Sequence, residues 1–485
     1  ADDYAKQIAE QGKVIASFAE RRAAIKAALD KVSGSLNARV AADDALLDEV
    51  TALVEYPVVL QAEFEAHFLA VPQECLILTM QQNQKYFPLL DQNGKLMNRF
   101  LLVSNLQTAD PSHIIHGNER VLRARLSDAE FFYKQDQKAT LESRLPKLEH
   151  VVYHNKIGSQ AQRIDRLQTI AAHIAEQLGT DRATAERAAR LAKADLVTEM
   201  VGEFPELQGT MGKYYAVLDG EQPEIAAAIE QHYQPRFAGD KLPESPIATA
   251  VALADKLETL VGIWGIGLIP TGDKDPYALR RAALGVLRML MNSPLSINDL
   301  LTTVAAQFPR DLLAANTVTE VADFMQARLA VLLQNDYAQD TVAAVLAQRP
   351  DRLDDLADKL QAVESFKKLP EAAALAAANK RVQNLLKKAD AQLGAVQENL
   401  LQEDAERALF AATQALRPTV QAALAKHDFP AALTALAAVK PQVDAFFDKV
   451  MVMADDAAVK QNRLNLLNEL SQLMNAVADI SLLGE

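Results

Sequence analysis

The chain has 485 residues, 49% of them hydrophobic, which suits about three or four domains. A single cysteine, Cys75, excludes a disulfide framework and any thiolate zinc site, so we expect a reducing, cytoplasmic setting. No apolar run approaches the roughly 20 residues of a membrane helix, and the first residues, which already follow a helical pattern, indicate an internal start in a longer gene product. A formal net charge of −14 argues against indiscriminate nucleic-acid binding but allows a local basic face.

The first 150 residues combine helices with a small β region. Residues 1 to about 70 follow a mostly helical period, and short apolar runs come next, at 76–78, 86–90 and 100–103. The last two runs flank Asp91-Gln92-Asn93-Gly94, a hairpin turn signal. A helix is then expected from Gly117. Between 120 and 147, seven cations face four anions, so the sequence predicts a basic helix beside an α+β region.

From about residue 150 onward, the spacing of apolar residues predicts helices joined by loops. One amphipathic helix over 164–178 should end at Gly179, and another should span 183–203. Farther along, Asp275 is expected to N-cap a helix that has Pro276 at its first position.

That helix has two contrasting faces. Its apolar side should pack into the core, and its arginines should project away from it. The core side comprises Leu279, Ala283, Val286 and Leu287, and the arginines are Arg280, Arg281 and Arg288. Such a surface suits a phosphate or carboxylate ligand, and an ordinary solvated helix start is the alternative.

The last third of the chain is helical as well. Six cations face one anion between 367 and 388, although a solvated helix face would also explain this window and the basic one near the N-terminus. We expect a mainly α, multidomain protein with a small α+β region near the N-terminus. The expected domains are an N-terminal segment (1–148), a helical HD-like domain (149–290), a helical connection (291–369) and a C-terminal anticodon-binding-type bundle (370–485).

One group of residues suggests phosphohydrolase chemistry. The helix around Asp255 resembles the last helix of HD-domain proteins, where an aspartate joins histidines and a His-Asp pair around a metal that activates water. Here Ala194 precedes Asp195, where the pattern requires histidine, and His154 stands at the first-ligand position. We therefore expect a degenerate site without bound metal, and an active HD-type metal-dependent phosphohydrolase is an alternative function.

Four further segments carry a specific resemblance. They are Met80–Leu89 (MQQNQKYFPL), Gly117–Phe132, Met200–Gly212 (MVGEFPELQGTMG) and Pro270–Arg288. Together they resemble the β-subunit family of bacterial tetrameric glycyl-tRNA synthetases across nearly the whole chain. Ala124 stands where the family commonly has proline. Family chains are longer at the N-terminus, so this sequence resembles a truncated form.

The resemblance implies a noncatalytic subunit of an α2β2 enzyme. It implies that the α subunit holds the site for glycine and ATP and uses Mg. This chain is then expected to recognise tRNA(Gly) and to contribute no catalytic residue. It is also expected to need no cofactor of its own and to bind no membrane. The resemblance also implies a C-terminal domain similar to the anticodon-binding domain of arginyl-type synthetases, on the Phe446–Met453 run and the last helix. A helical protein-interaction scaffold is a further alternative.

A protein binds RNA with cations that contact the phosphate backbone and with polar or flat side chains that contact the bases. The cations beside Tyr86 and on the Arg120 helix would meet either the acceptor arm or the other subunit. The candidate RNA-binding residues are Lys85, Tyr86, Arg120, Arg123, Arg125, Arg280, Arg281, Asn379, Lys380, Arg381, Lys387, Lys388, Lys449, Asn462 and Arg463.

Overall fold

A computed structural model describes residues 2–389 and 392–484, and the chain divides into two compact units. The first unit combines residues up to 164 with residues 188–230, and the second combines 165–187 with residues from 231 onward. These units differ from the four consecutive domains expected from the sequence, because the segment 149–290 contributes to both.

The first unit consists of helices and a four-stranded antiparallel sheet. Its helices are α1 (Asp2–Gln7), α2 (Phe18–Ser35), α3 (Asp44–Leu53), α4 (Gln73–Gln84), α5 (Ser112–Asp136), α6 (Leu141–Arg144), α9 (Glu199–Glu203), α10 (Thr210–Leu218) and most of α11 (Pro223–Gln231). Helices α7 (Gln160–Gln177) and α8 (Arg182–Leu191) lie partly in each unit. The strands are β1 (Arg39–Val40), β2 (Val58–Glu63), β3 (Phe87–Leu90), β4 (Leu96–Ser104) and a separate pair, β5 (Val152–His154) with β6 (Gly158–Ser159).

The sheet has the order β1-β3-β4-β2, and β2 pairs with β4 from Val58↔Ser104 to Glu63↔Arg99. Every residue of β3 is buried, and Phe87 and Leu89 pack with apolar residues of α2 and α3 in one core cluster. The expected hairpin is confirmed. The Asp91 side chain accepts hydrogen bonds from the backbone N–H groups of Asn93 (2.8 Å) and Lys95 (3.0 Å), and Gly94 adopts a φ of 76° that favours glycine.

Some of the expected elements near this sheet are wrong. Residues 76–78 belong to helix α4 and not to a strand. Their three consecutive apolar side chains are compatible with either a strand or a buried helix, so the sequence did not decide between the two. Strand β2 was missed, although its Val-Val start directly after Pro57 is typical of a strand. The expected helix over 183–203 is broken after Leu191, and α9 begins anew where the Thr198 side chain accepts a hydrogen bond from Val201 N.

The second unit is built around an apolar central helix. Helix α12 (Pro246–Gly265) is buried on nearly all sides, and its buried residues include the charged Asp255, Lys256 and Glu258. Helices α13 (Leu279–Leu290), α14 (Ile297–Ala305) and α15 (Thr317–Leu333) pack against it, and α16 (Gln339–Leu346) and α17 (Leu356–Phe366) follow.

The C-terminal helices complete this unit. They are α18 (Ala372–Ala389), α19 (Asp404–Ala425), α20 (Phe429–Ala437), α21 (Lys440–Lys449) and α22 (Ala457–Met474). The expected apolar face of α22 is buried, including Leu466, Leu467 and Leu470. The mainly α, multidomain fold is therefore confirmed. Within residues 2–389 and 392–484, no helix is both long and apolar enough to span a bilayer.

Candidate nucleic-acid interface

Helix α18 presents cations along the surface of the second unit. Lys380, Arg381, Lys387 and Lys388 are all exposed. The Arg381 guanidinium lies 4.4 Å from the ring centre of Phe447 in α21. This cation–π contact holds the side chain in place and leaves its charge at the surface, where it is available to a phosphate.

Asn379, one helical position before these cations, is not part of that surface. It is fully buried, and its amide donates to the side chain of Asn475 (2.8 Å) and lies 3.4 Å from that of Asp479. The prediction that Asn379 binds RNA is corrected, because its amide joins α18 to the end of the chain instead.

Asn462 is also buried, so its predicted RNA contact is corrected as well. Its side-chain oxygen accepts from Gln397 N (2.7 Å), and its amide donates to Gln397 O (3.0 Å). Asn465, one turn later, makes the same kind of pair with Gly394 N (2.9 Å) and Ala395 O (3.1 Å). Two amides of α22 thus hold the segment 394–397 as a neighbouring strand would.

Arg463 forms a buried ion pair, which corrects the prediction that it is free to meet RNA. Its guanidinium donates to Glu406 Oε1 (2.6 Å) and to the carbonyl of Met451 (2.6 Å). Both partners of the ion pair are buried, and Glu406 also accepts from Glu403 N in the capping box of α19. Arg463 therefore fixes the loop that follows α21.

That loop exposes two methionine side chains. Val450 and Val452 are buried, whereas Met451 is 73% and Met453 is 44% exposed. The alternation Val-Met-Val-Met was the signal, since neighbouring residues of an extended segment face opposite sides. Lys449, directly before the loop, is exposed as predicted.

The junction before α13 is arranged differently from the expected N-cap. The helix begins at Leu279 rather than Pro276, and Ala278 adopts a left-handed φ of 52°. The Asp275 carboxylate nevertheless accepts from Leu279 N (2.8 Å) and Arg280 N (3.0 Å), so it caps the first turn. The four expected core residues of α13 are buried, Arg281 is exposed, and Arg280 is half-buried with a hydrogen bond to Gly272 O (2.6 Å).

In the first unit, the Lys85 ammonium pairs with Glu49 (3.0 Å) and is half-exposed. Tyr86 is buried: its hydroxyl donates to Asn118 (2.6 Å), and burial raises its pKa to about 12. The predicted contact of Tyr86 with RNA is corrected, because a ring enclosed against Phe100 has no face open to a base.

The arginines of α5 lie on its outer face. Arg120, Arg123 and Arg125 are exposed, and Arg123 pairs with Glu65. In the described part of the chain, no ion pair or hydrogen bond of the Arg120 and Arg125 side chains is found. A cationic surface therefore exists at α5, as the sequence suggested.

Asp195 has a structural role. It is fully buried, and its Oδ2 accepts from Gly209 N (2.6 Å) and Gly212 N (2.9 Å), which caps the start of α10. Burial raises the pKa of Asp195 to about 6. A Cβ on Gly212 would lie 2.6 Å from Ile229 Cγ2 and 3.0 Å from Asp195 Oδ2, which explains the glycine at this point of the motif.

The other residues of the expected degenerate HD site lie in different units. His154, in β5, belongs to the first unit and accepts from Lys156 N (3.1 Å), whereas Asp255 lies on α12 in the second. Among the described residues, no group of three or more His, Cys, Asp or Glu side chains is arranged to hold a metal ion.

Comparison with known proteins gives a consistent result. Residues 1–347 match the family model described as glycyl-tRNA synthetase beta subunit, and 375–484 match that of the DALR anticodon binding domain. The chain is 80% identical to a glycine–tRNA ligase beta subunit of Neisseria meningitidis and 79% identical to that of Neisseria gonorrhoeae, over all 485 residues and 71% of each relative. It is 58% identical to that of Ralstonia nicotianae, over 99% of this chain and 69% of the relative.

Proposed function

The chain belongs to the glycyl-tRNA synthetase beta-subunit family, and on this premise we propose that it is the tRNA-recognition subunit of glycine–tRNA ligase. The observation that carries the proposal is the anticodon-binding domain match over 375–484, which contains the exposed cations of α18. The chain itself carries out no chemistry in this proposal. It binds tRNA(Gly) so that a second subunit attaches glycine.

The exposed side chains of the C-terminal domain suit an anticodon stem and loop. Lys387 and Lys388 supply charge for backbone phosphates, and Arg381 does so from a fixed position on Phe447. Met451 and Met453 offer apolar, polarisable surface for unpaired bases. In this arrangement a helix contacts the phosphates and a loop contacts the bases, which suits an RNA loop with unpaired bases.

The partner of the chain in this proposal is the α subunit, which holds the site for glycine and ATP and uses Mg. The complex acts in the cytoplasm. The first unit offers the exposed arginines of α5 to this partner or to the acceptor arm of the tRNA. The two uses differ in salt dependence, because only phosphate contacts release condensed counterions.

Charge reversal on α18 tests the proposal. With the α subunit present, Lys387→Glu/Lys388→Glu should weaken tRNA(Gly) binding and raise the KM for tRNA in glycylation. It should also reduce the salt slope by about 0.7–0.9 for each phosphate that is no longer neutralised. The kcat should change little, since both residues lie outside the catalytic chemistry. The matched control is Lys426→Glu, an exposed cation just after α19.

Two outcomes would contradict the proposal. One is glycylation with an unchanged KM for tRNA in the double variant. The other is normal glycylation by the α subunit without this chain.

A further inference from the structure

Two anchored segments border helix α13 in the second unit. Arg288 donates to the carbonyl of Asp240 (2.7 Å) and so fixes the segment 235–241. Arg280 donates to the carbonyl of Gly272 (2.6 Å) and fixes the segment 266–278. The two arginines are eight positions apart, about 12 Å along a helix, so the segments flank one stretch of α13.

Both segments have a defined conformation. Thr271 and Lys274 exchange two backbone hydrogen bonds (3.0 and 2.8 Å), which close a tight turn. Asp240 accepts from Arg236 N (2.8 Å) and Lys241 N (2.9 Å). The carboxylates of Asp240 and Asp275 are thus occupied by backbone N–H groups, and within these two segments Asp273 is the remaining acidic side chain.

The segments expose aromatic and apolar side chains to solvent. Phe237 is 60% exposed and Tyr277 is 38% exposed, and Leu268 and Ile269 lie near 40%. A single exposed ring is ordinary, but four large apolar side chains exposed on two ordered segments beside one helix form a patch that indicates a partner. Neither ring is among the residues predicted to bind RNA: no motif surrounds Phe237, and in the Pro270–Arg288 segment, which contains Tyr277, only arginines were candidates.

The same surface carries unpaired positive charge. Arg236 and Lys274 on the segments and Arg281 on α13 are exposed, and no ion pair of their side chains is found in the described part of the chain. The whole chain has a net charge of −14, so a local excess of free cations favours an anionic partner. Aromatic rings between cations are typical of surfaces that bind single-stranded nucleic acid.

We propose that this α13 surface binds unpaired nucleotides of RNA, with bases stacked on Phe237 and Tyr277 and phosphates on Arg236, Lys274 and Arg281. It is a second RNA contact, separate in sequence from the anticodon-binding domain, and it deepens the proposed function, on which it rests. Unpaired RNA is favoured over duplex because stacking on a ring requires an open base face. The surface therefore distinguishes unpaired RNA from duplex RNA and does not read the base sequence.

The test is binding of fluorescently labelled octauridylate, compared with an RNA duplex of the same length, to the whole chain by anisotropy. Both are measured in the Lys387→Glu/Lys388→Glu background, which reduces binding at α18. The chain should prefer octauridylate. Phe237→Ala should weaken its binding at least about fivefold with little change in salt slope, because it removes stacking and no charge.

The charge variant should behave differently. Lys274→Glu/Arg281→Glu should weaken binding and also reduce the salt slope. The matched controls are Tyr4→Ala, an exposed ring in α1, and Arg310→Glu, an exposed cation in the second unit; both should bind as the parent does. All substituted side chains are exposed, and circular dichroism verifies that the variants fold.

The proposal is overturned if the parent does not prefer octauridylate, or if the α13 variants bind it as the parent does. It is also overturned if those variants weaken association with the α subunit instead of RNA, since the surface would then be a protein interface. Its failure is separable from failure of the proposed function. If tRNA(Gly) binding depends on Lys387 and Lys388 while octauridylate is ignored, only this second contact is refuted.

Discussion

Replacing Asp195 by asparagine should change how the stability of the first unit depends on pH. Burial raises the pKa of Asp195 from 3.8 to about 6. The folded state therefore holds the proton more tightly than the unfolded state. The resulting stabilisation is fully present below about pH 3.8 and is lost as pH rises through 6. The difference in pKa corresponds to about 3 kcal/mol, which the ionised carboxylate costs the fold at neutral pH.

Asparagine removes the ionisation and keeps the cap. Its side-chain oxygen can replace Oδ2, which accepts both backbone hydrogen bonds. Its amide group would stand where Oδ1 has no hydrogen-bond partner, at a cost that does not vary with pH. The stability of Asp195→Asn relative to the wild type should therefore rise by up to about 3 kcal/mol between pH 4 and pH 7.

Thermal unfolding at pH 4, 5, 6 and 7 provides the assay. For a unit of this size, about 3 kcal/mol corresponds to roughly 6–12 °C in Tm. The Tm of Asp195→Asn minus the Tm of the wild type should therefore rise by up to this amount between pH 4 and pH 7. Asp128→Asn, an exposed carboxylate on α5, is the matched control and should show no such trend. If the Tm of Asp195→Asn minus the Tm of the wild type stays constant or falls as pH rises, the reasoning is refuted, because burial would then not favour the protonated carboxyl group.

Three further substitutions have defined outcomes. Arg463→Met should lower the free energy of unfolding by about 3–5 kcal/mol in urea titration, because it leaves Glu406 buried without its cation, and adding Glu406→Gln should recover part of that loss. Gly212→Ala should cost about 1–3 kcal/mol in the same assay, whereas Gly202→Ala, which meets no atom within 4 Å, should be neutral or stabilising. Tyr86→Phe should cost about 1 kcal/mol of stability and leave the affinity for tRNA(Gly) unchanged, contrary to a stacking role.

The periodicity of the sequence was sufficient for several long elements, although not for the helix expected over 183–203. The core side of α13, the apolar face of α22, the end of α7 near Gly179 and the hairpin around Gly94 all follow local rules of spacing and turn chemistry. The short elements were not predictable in this way. An apolar triplet at 76–78 fits a helix or a strand equally well, and packing against α5 and β3 decides for the helix.

The exposure of most of the candidate cations was predictable, whereas the burial of Arg463, Tyr86 and the two asparagines was not. Lys387, Lys388, Lys449 and Arg281 are exposed, because a lysine or arginine with no nearby carboxylate partner has no reason to leave water. Asn379 is buried, because the N–H groups of its side chain find acceptors inside the protein. Those partners lie 96 and 100 residues away, where local spacing gives no information.

Buried polar residues and exposed contact residues have complementary roles in this chain. Arg463 is inaccessible to RNA, yet it holds the carbonyl of Met451, and its loop presents the most exposed methionine side chain of the C-terminal domain. Arg280 likewise anchors the segment that carries Tyr277. Ordering a surface loop in advance lowers the conformational entropy that binding must overcome. A buried polar residue such as Arg463 therefore still helps to locate an RNA-binding surface. The surface to test is the loop that the buried residue holds in place, rather than the residue itself.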